Sequence, residues 1–126
     1  MTIQDAIDQV NELKPNQVDD GQKVKWLEDL DRRIFVEIIK KHTGDGLPED
    51  EPTDYADKDP DTYTLLVPAP FDMIFRWYLE MQIDLANMEM DKYNNSAALY
   101  NNAWEEYARH VNREYMPVGR GKVWKF

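Results

Sequence analysis

The sequence predicts an all-α fold, a small helical bundle of three main helices and a short leading one, and three observations predict it. Apolar residues recur at three- and four-residue spacing through most of the chain. The one long interruption, residues 43–62, holds eight acids, one lysine and three prolines and therefore reads as a loop. Strand-like sequence is confined to one short run, which leaves no alternation of strands and helices for a parallel sheet. With 126 residues, 42% apolar and 12% aromatic, the chain fits one helical domain over 1–115, followed by an extended C-terminal arm at 116–126.

The elements follow in order. Thr2, with Asp5 three residues on, predicts a capped first helix with Ile3, Ile7, Val10 and Leu13 on one face, ended by Pro15. Asp19 or Asp20 opens a second helix over about 21–42. Val24, Leu27, Leu30, Ile34, Phe35, Ile38 and Ile39 form its apolar stripe, Lys40, Lys41 and His42 its last turn, and Gly44 its stop. The acidic loop gives way to Tyr63–Val67, one short strand whose expected partner is Lys122–Phe126 or a neighbouring subunit. A third helix follows Pro70, with Phe71, Ile74, Phe75, Tyr78, Met81, Leu85 and Met88 on one face and Trp77 and Ile83 off it. Asn94, Asn95 and Ser96 cap a fourth, whose stripe runs from Leu99 to Tyr115 before Pro117 closes it.

Charge is distributed unevenly. The net charge is −10, yet Met116–Phe126 carries Arg120, Lys122 and Lys125 and no acid, so the arm is +3 and the rest −13. With Pro117, Gly119 and Gly121 it cannot form an amphipathic helix. Together with Trp124 and Phe126, this describes a segment that orders on a partner. The acidic body disfavours nucleic acid as a ligand, because phosphate contacts need clustered cations. The absence of cysteine excludes disulfides and thiolate zinc sites and points to a reducing cytoplasm. No apolar run approaches the ~18 residues of a membrane span, and no secretory leader is evident, so no membrane association is expected.

Candidate chemistry is sparse. Asp57, Asp59 and Asp61 have the opening spacing of a calcium loop, but Thr62 and Pro68 stand where glycine and a bidentate glutamate belong. A solvated acidic loop is the better reading. His42 and His110 lack other ligands at metal spacing, and no nucleophile or phosphate-loop motif occurs, so neither an enzyme nor a cofactor site is expected. The aromatic and methionine stripes of the last two helices read as core, with Trp77, Trp124 and Phe126 left over as anchors for other chains.

Leu65-Leu66-Val67-Pro68-Ala69-Pro70-Phe71-Asp72, then Trp77–Asp84 and Asp91–Ser96, resemble the head-tail connector, or adaptor, proteins of long-tailed bacteriophages. The resemblance spans residues 63–117 and rests on packing residues rather than a catalytic signature. It implies a structural virion protein of the neck, made in the host bacterial cytoplasm and assembled as a ring of about twelve copies by heterologous contacts. Such a ring docks under the portal, meets a downstream neck or tail-completion protein, and lets DNA pass without specific binding. The resemblance makes Val118, Arg120, Lys122, Val123, Trp124, Lys125 and Phe126 the portal-docking arm. The acids Asp45, Glu49, Asp50, Glu51, Asp54, Asp57, Asp59 and Asp61 become a loop facing the channel or the next neck protein. A ring of −13 bodies would repel DNA phosphates at short range, since salt screens fields beyond about 8 Å. The alternative is a phage-encoded inhibitor that mimics the charge of DNA and binds a host nuclease or regulator, a role to which the basic arm adds nothing.

Overall fold

The computed structural model describes residues 1–118. Four helices, α1 (Ile3–Leu13), α2 (Asp20–Glu37), α3 (Met73–Ala86) and α4 (Met90–Glu114), form a small helical bundle with one two-stranded antiparallel sheet, β1 (His42–Thr43) and β2 (Met116–Pro117). Ion pairs and hydrogen bonds fix the helix directions. The Met1 amino group lies 3.9 Å from Asp72, just ahead of α3, and Lys14 Nζ lies 2.6 Å from Asp84 near its end, so α1 and α3 run parallel. Lys23 Nζ reaches Val18 O and Asn11 Oδ1, which joins the end of α1 to the start of α2.

α1 forms where expected, because its cap is complete. The Asp5 amide donates to Thr2 Oγ1, and the Thr2 amide donates to Asp5 Oδ2. These bonds hold the Asp5 carboxyl below the usual carboxylate range. Ile3, Ile7 and Val10 are buried as their spacing requires, while Leu13 is exposed beyond the last packed turn.

Four expectations are corrected. α2 ends at Glu37 rather than 42, and Ile39–Lys41 tightens into a single 3-10 turn. Ile38 and Ile39 are both buried where the helix gives way to this turn. Among the described residues the run Tyr63–Val67 finds a partner the sequence did not offer, the N-terminus ahead of α1, while Lys122–Phe126 lie outside the described residues. It makes one antiparallel bridge, Thr64 to Thr2, flanked by Ile3 N to Tyr63 O at 3.1 Å and Leu65 N to Met1 O at 3.0 Å. Ile83, expected off the apolar face of α3, is fully buried, whereas Leu85 and Met88 are exposed; α3 is packed by α1 and α2 on one side and α4 on the other, and this cover ends near Asp84.

The fourth correction concerns the start of the last helix. α4 begins at Met90, so Asn94, Asn95 and Ser96 lie inside it rather than capping it. The chain turns because α3 closes with a Schellman arrangement, Glu89 N to Asp84 O at 2.9 Å and Met88 N to Leu85 O at 3.1 Å, with Met88 left-handed at φ 56°. A helix can therefore restart after three intervening residues, and the buried Ser96 faces α3.

Candidate functional site

The root of the C-terminal arm and the first turn of the acidic segment meet at the end of the bundle where α2 and α4 finish. Tyr115 leaves α4 in an extended conformation, and Met116–Pro117 pairs with His42–Thr43 in the register His42 to Pro117 and Thr43 to Met116. The Val118 amide then donates to Lys41 O at 2.8 Å, fixing where the chain departs. His42 fastens this junction. Its Nδ1 donates to Ile38 O at 2.7 Å, since a carbonyl can only accept, and Nε2 lies 2.7 Å from Asn112 Oδ1 of α4.

Tyr115 completes the junction by packing over the turn after β1. Gly44, at φ 154°, lies so close beneath it that a Cβ there would stand 2.5 Å from Tyr115 Cδ1, and Gly46 follows at φ 95°. Of the arm residues, Val118 is described and is 55% exposed. Arg120, Lys122, Val123, Trp124, Lys125 and Phe126 lie outside the described residues.

The acidic segment is more built than its composition suggests. Its second half is strapped to α2. Pro52 O accepts from Arg32 Nε and Nη2, Glu28 Oε1 accepts from the Tyr55 amide at 2.8 Å, and Arg32 also pairs with Glu28 at 3.0 Å. Residues 55–57 form a 3-10 turn that drives Tyr55 into the core, edge-on to Tyr63 with ring centres 4.9 Å apart. Pro60 O accepts from the Gln4 amide at 2.9 Å and ties the segment to α1.

Asp45, Glu49, Asp50, Glu51, Asp54, Asp57, Asp59 and Asp61 are all exposed, so the strap presents its charge outward. Asp59 Oδ1 accepts from the Asp61 amide at 3.0 Å, which spends part of the candidate calcium spacing on the turn itself. Among the described residues no group of three or more His, Cys, Asp or Glu is placed to hold a metal ion. No described helix is long and apolar enough to cross a membrane.

Beneath the strap lies a carboxyl that sequence reading passed over. Asp31 is fully buried; its Oδ2 accepts from the Tyr55 hydroxyl at 2.6 Å and the Leu66 amide at 3.2 Å, and its Oδ1 has no hydrogen-bond partner among the described residues. Burial pushes the Asp31 carboxyl up to about 7, the two hydrogen bonds opposing the rise. Burial and then the charge of Asp31 raise the Tyr55 phenol far above its ordinary value, so it stays a donor. A signal existed. Asp31 sits four residues after Leu27 and three before Ile34, on the apolar stripe of α2, as does the buried Lys23.

Asp84 is a second such group. It is 1% exposed and accepts from Lys14 Nζ at 2.6 Å and Ser96 Oγ at 2.8 Å, which satisfies both oxygens. This is a buried ion pair with a hydroxyl donor, set among packed helices. Trp77 is no free anchor. It is half-buried against the core, with the Arg76 guanidinium 4.3 Å from its ring centre. His110 stacks on Phe71, ring centres 4.5 Å apart. Leu13, Leu85, Met88 and Met90 leave apolar surface at the opposite end of the bundle.

Compared with protein-family models, curated proteins and solved structures, the chain matches none of them.

Proposed function

We propose that the chain is a structural protein of a phage neck, a ring-forming adaptor that docks beneath a portal through its C-terminal arm and connects the head to the tail. The observation that carries this reading is the β1–β2 junction with the Val118 to Lys41 bond. It launches a segment of +3 charge and two aromatics from one defined point on a body of −13. A segment of that composition suits addition to an acidic partner surface, where opposite charge sets approach and orientation and the aromatics supply anchoring contact. Connector-like packing residues agree with it, since Leu65, Val67, Ile83 and Asp84 all sit in the interior. In this reading the outward acids of the strap, from Asp45 to Asp61, keep DNA phosphates off the protein as DNA passes.

The test is affinity purification of the tagged full-length chain from cells producing phage particles, with co-purifying chains identified by mass spectrometry. Portal and neck proteins are the expected partners, lost when residues 116–126 are deleted. Recovery of a host nuclease or regulator in place of virion proteins would overturn the adaptor reading and make the outward carboxylates the functional surface, as in a mimic of DNA charge.

A further inference from the structure

A recess of about 320 Å3 opens between the last turns of α4 and the turn that leads into α3, walled by Pro70, Phe71, Glu106, Arg109 and Arg113. Arg109 and Arg113 stand four residues apart and so share one face of α4. Arg109 reaches Glu105 only at 3.8 Å with both side chains largely in solvent, and Arg113 makes no ion pair among the described residues. An exposed contact of that length holds a charge weakly. Phe71 stacks on His110 with ring centres 4.5 Å apart and gives the recess an apolar floor. Two guanidiniums against the single carboxylate of Glu106 make this a cationic recess on a chain of net charge −10.

We propose that this recess takes the acidic strap of a second copy of the chain, with Arg109 and Arg113 pairing with Glu49, Asp50 and Asp54. Charge and position both commit the site to that occupant. Residues 43–57 carry six acids and no lysine or arginine. Glu49, Asp50 and Asp54 are exposed, and the strap's ion pair to α2 among the described residues uses Glu51 instead. The strap therefore presents unpaired carboxylates to a surface of unpaired guanidiniums. Arginine and carboxylate groups meet in a bidentate geometry that fixes orientation as well as charge.

The contact has to run between copies. The strap is fastened to α2 by Pro52, Tyr55 and Glu28, the recess belongs to α4, and α3 stands between those two helices. Held there, the strap cannot cross to the recess of its own chain. Each copy carries both halves of the contact on different sides, the arrangement of a heterologous interface that adds copies head to tail. Salt screens the general repulsion between two acidic chains beyond about 8 Å, while groups in direct contact keep their attraction. Such a contact would join the subunits of the adaptor ring proposed above; closure into a ring rests on that reading, and the pairing of the two surfaces does not.

Sedimentation velocity on the full chain at about 0.15 M salt tests this with two variants, each lacking one half of the contact. Arg109→Gln/Arg113→Gln keeps the strap and loses the recess; Glu49→Gln/Asp50→Asn/Asp54→Asn keeps the recess and loses the strap. All five side chains are exposed, so both variants should melt as wild type does. Wild type is expected to associate as concentration rises, and each variant alone to associate at least about tenfold more weakly. Mixed one to one, the variants should pair again but stop at a heterodimer, because only one intact contact can form between them. The strap variant is less negative than wild type, so stronger association of that variant would show that general repulsion governs, and would overturn the proposal. A wild type that stays monomeric to about 1 mM would overturn it too. So would variants that associate as wild type does, which would move the contact to another surface, such as the exposed Leu85 and Met88. Failure of the variants to pair while portal proteins still co-purify would sink this contact alone; pairing as described with no virion protein recovered would sink the adaptor reading alone.

Discussion

The Tyr55 hydroxyl donates a 2.6 Å hydrogen bond to Asp31 Oδ2, and through it the acidic segment is fastened to the middle of α2. The pairing resolves two local misfits together. A carboxyl on the apolar stripe of a helix needs donors, and a tyrosine in an acidic loop needs a partner for its hydroxyl once its ring is buried. It also explains how eight exposed acids are held against a body of the same charge. The fastening is made by Tyr55, Pro52 and Pro60, with the neighbouring carboxylates left facing water.

The Asp31 carboxyl makes stability depend on pH in a defined direction. Its value rises from 3.8 unfolded to about 7 folded, chiefly through burial, so the native state holds more protons than the unfolded state between those limits. The stability this group contributes is therefore complete below about pH 4 and lost as pH rises through about 7. Asp31→Asn keeps an acceptor for Tyr55 and Leu66 without the charge. Urea unfolding across pH 4–8 should show wild type losing stability relative to the variant by an amount on the order of a few kcal/mol. Parallel curves for the two proteins would mean the carboxyl is not desolvated as described.

The Asp84 cluster separates losing a charge partner from losing a hydroxyl donor. Lys14→Met leaves a nearly buried carboxylate with only Ser96, and a broken buried pair costs about 3 kcal/mol, at the lower end because Lys14 keeps some solvent contact. Ser96→Ala removes one neutral donor and should cost about 1–2 kcal/mol. Denaturant midpoints should therefore order wild type, then Ser96→Ala, then Lys14→Met. The reverse order would mean that the Ser96 hydroxyl, not the Lys14 ammonium, is the partner on which Asp84 chiefly depends.

These residues mark the limit of what the chain discloses on its own. The α1 cap was legible because Thr2 and Asp5 are three residues apart and satisfy each other within one turn. The helical character of each long segment was legible from its apolar spacing. The start of α4 was not, because the turn before it depends on a left-handed methionine, whose identity does not advertise that conformation as glycine would. Tyr63–Val67 was readable as extended, but its partner was set by where α1 begins, a tertiary fact. Asp31, Tyr55 and Leu66 are brought together by separations of 24 and 35 residues, which no local pattern encodes. The acids of the strap and Val118 stand at the surface, as their composition suggested; the rest of the arm lies beyond the described residues.

Met88 is 82% exposed and left-handed at the position after a helix C-cap where glycine is favoured. A side chain there carries a steric cost and makes no packing contact that offsets it. Met88→Gly should raise stability by about 1 kcal/mol and leave the α3–α4 corner unchanged. Thermal melts check this. A variant less stable than wild type would show that Met88 packs against the body in solution.

Gly44 should be the least replaceable glycine among the described residues, for two separable reasons. Its backbone lies at φ 154°, and a Cβ would stand 2.5 Å from Tyr115 Cδ1. Gly44→Ala should therefore cost about 2 kcal/mol or more, from backbone strain together with displacement of the Tyr115 ring. Removing the ring isolates the second part. If the clash contributes, Gly44→Ala in a Tyr115→Ala background should cost clearly less than in wild type, leaving only the strain. Additive costs would place the whole effect in the backbone. Because Tyr115 directly precedes β2, the clash should also loosen the β1–β2 pairing, seen as faster exchange at the Val118 amide in Gly44→Ala and restored protection when the ring is removed.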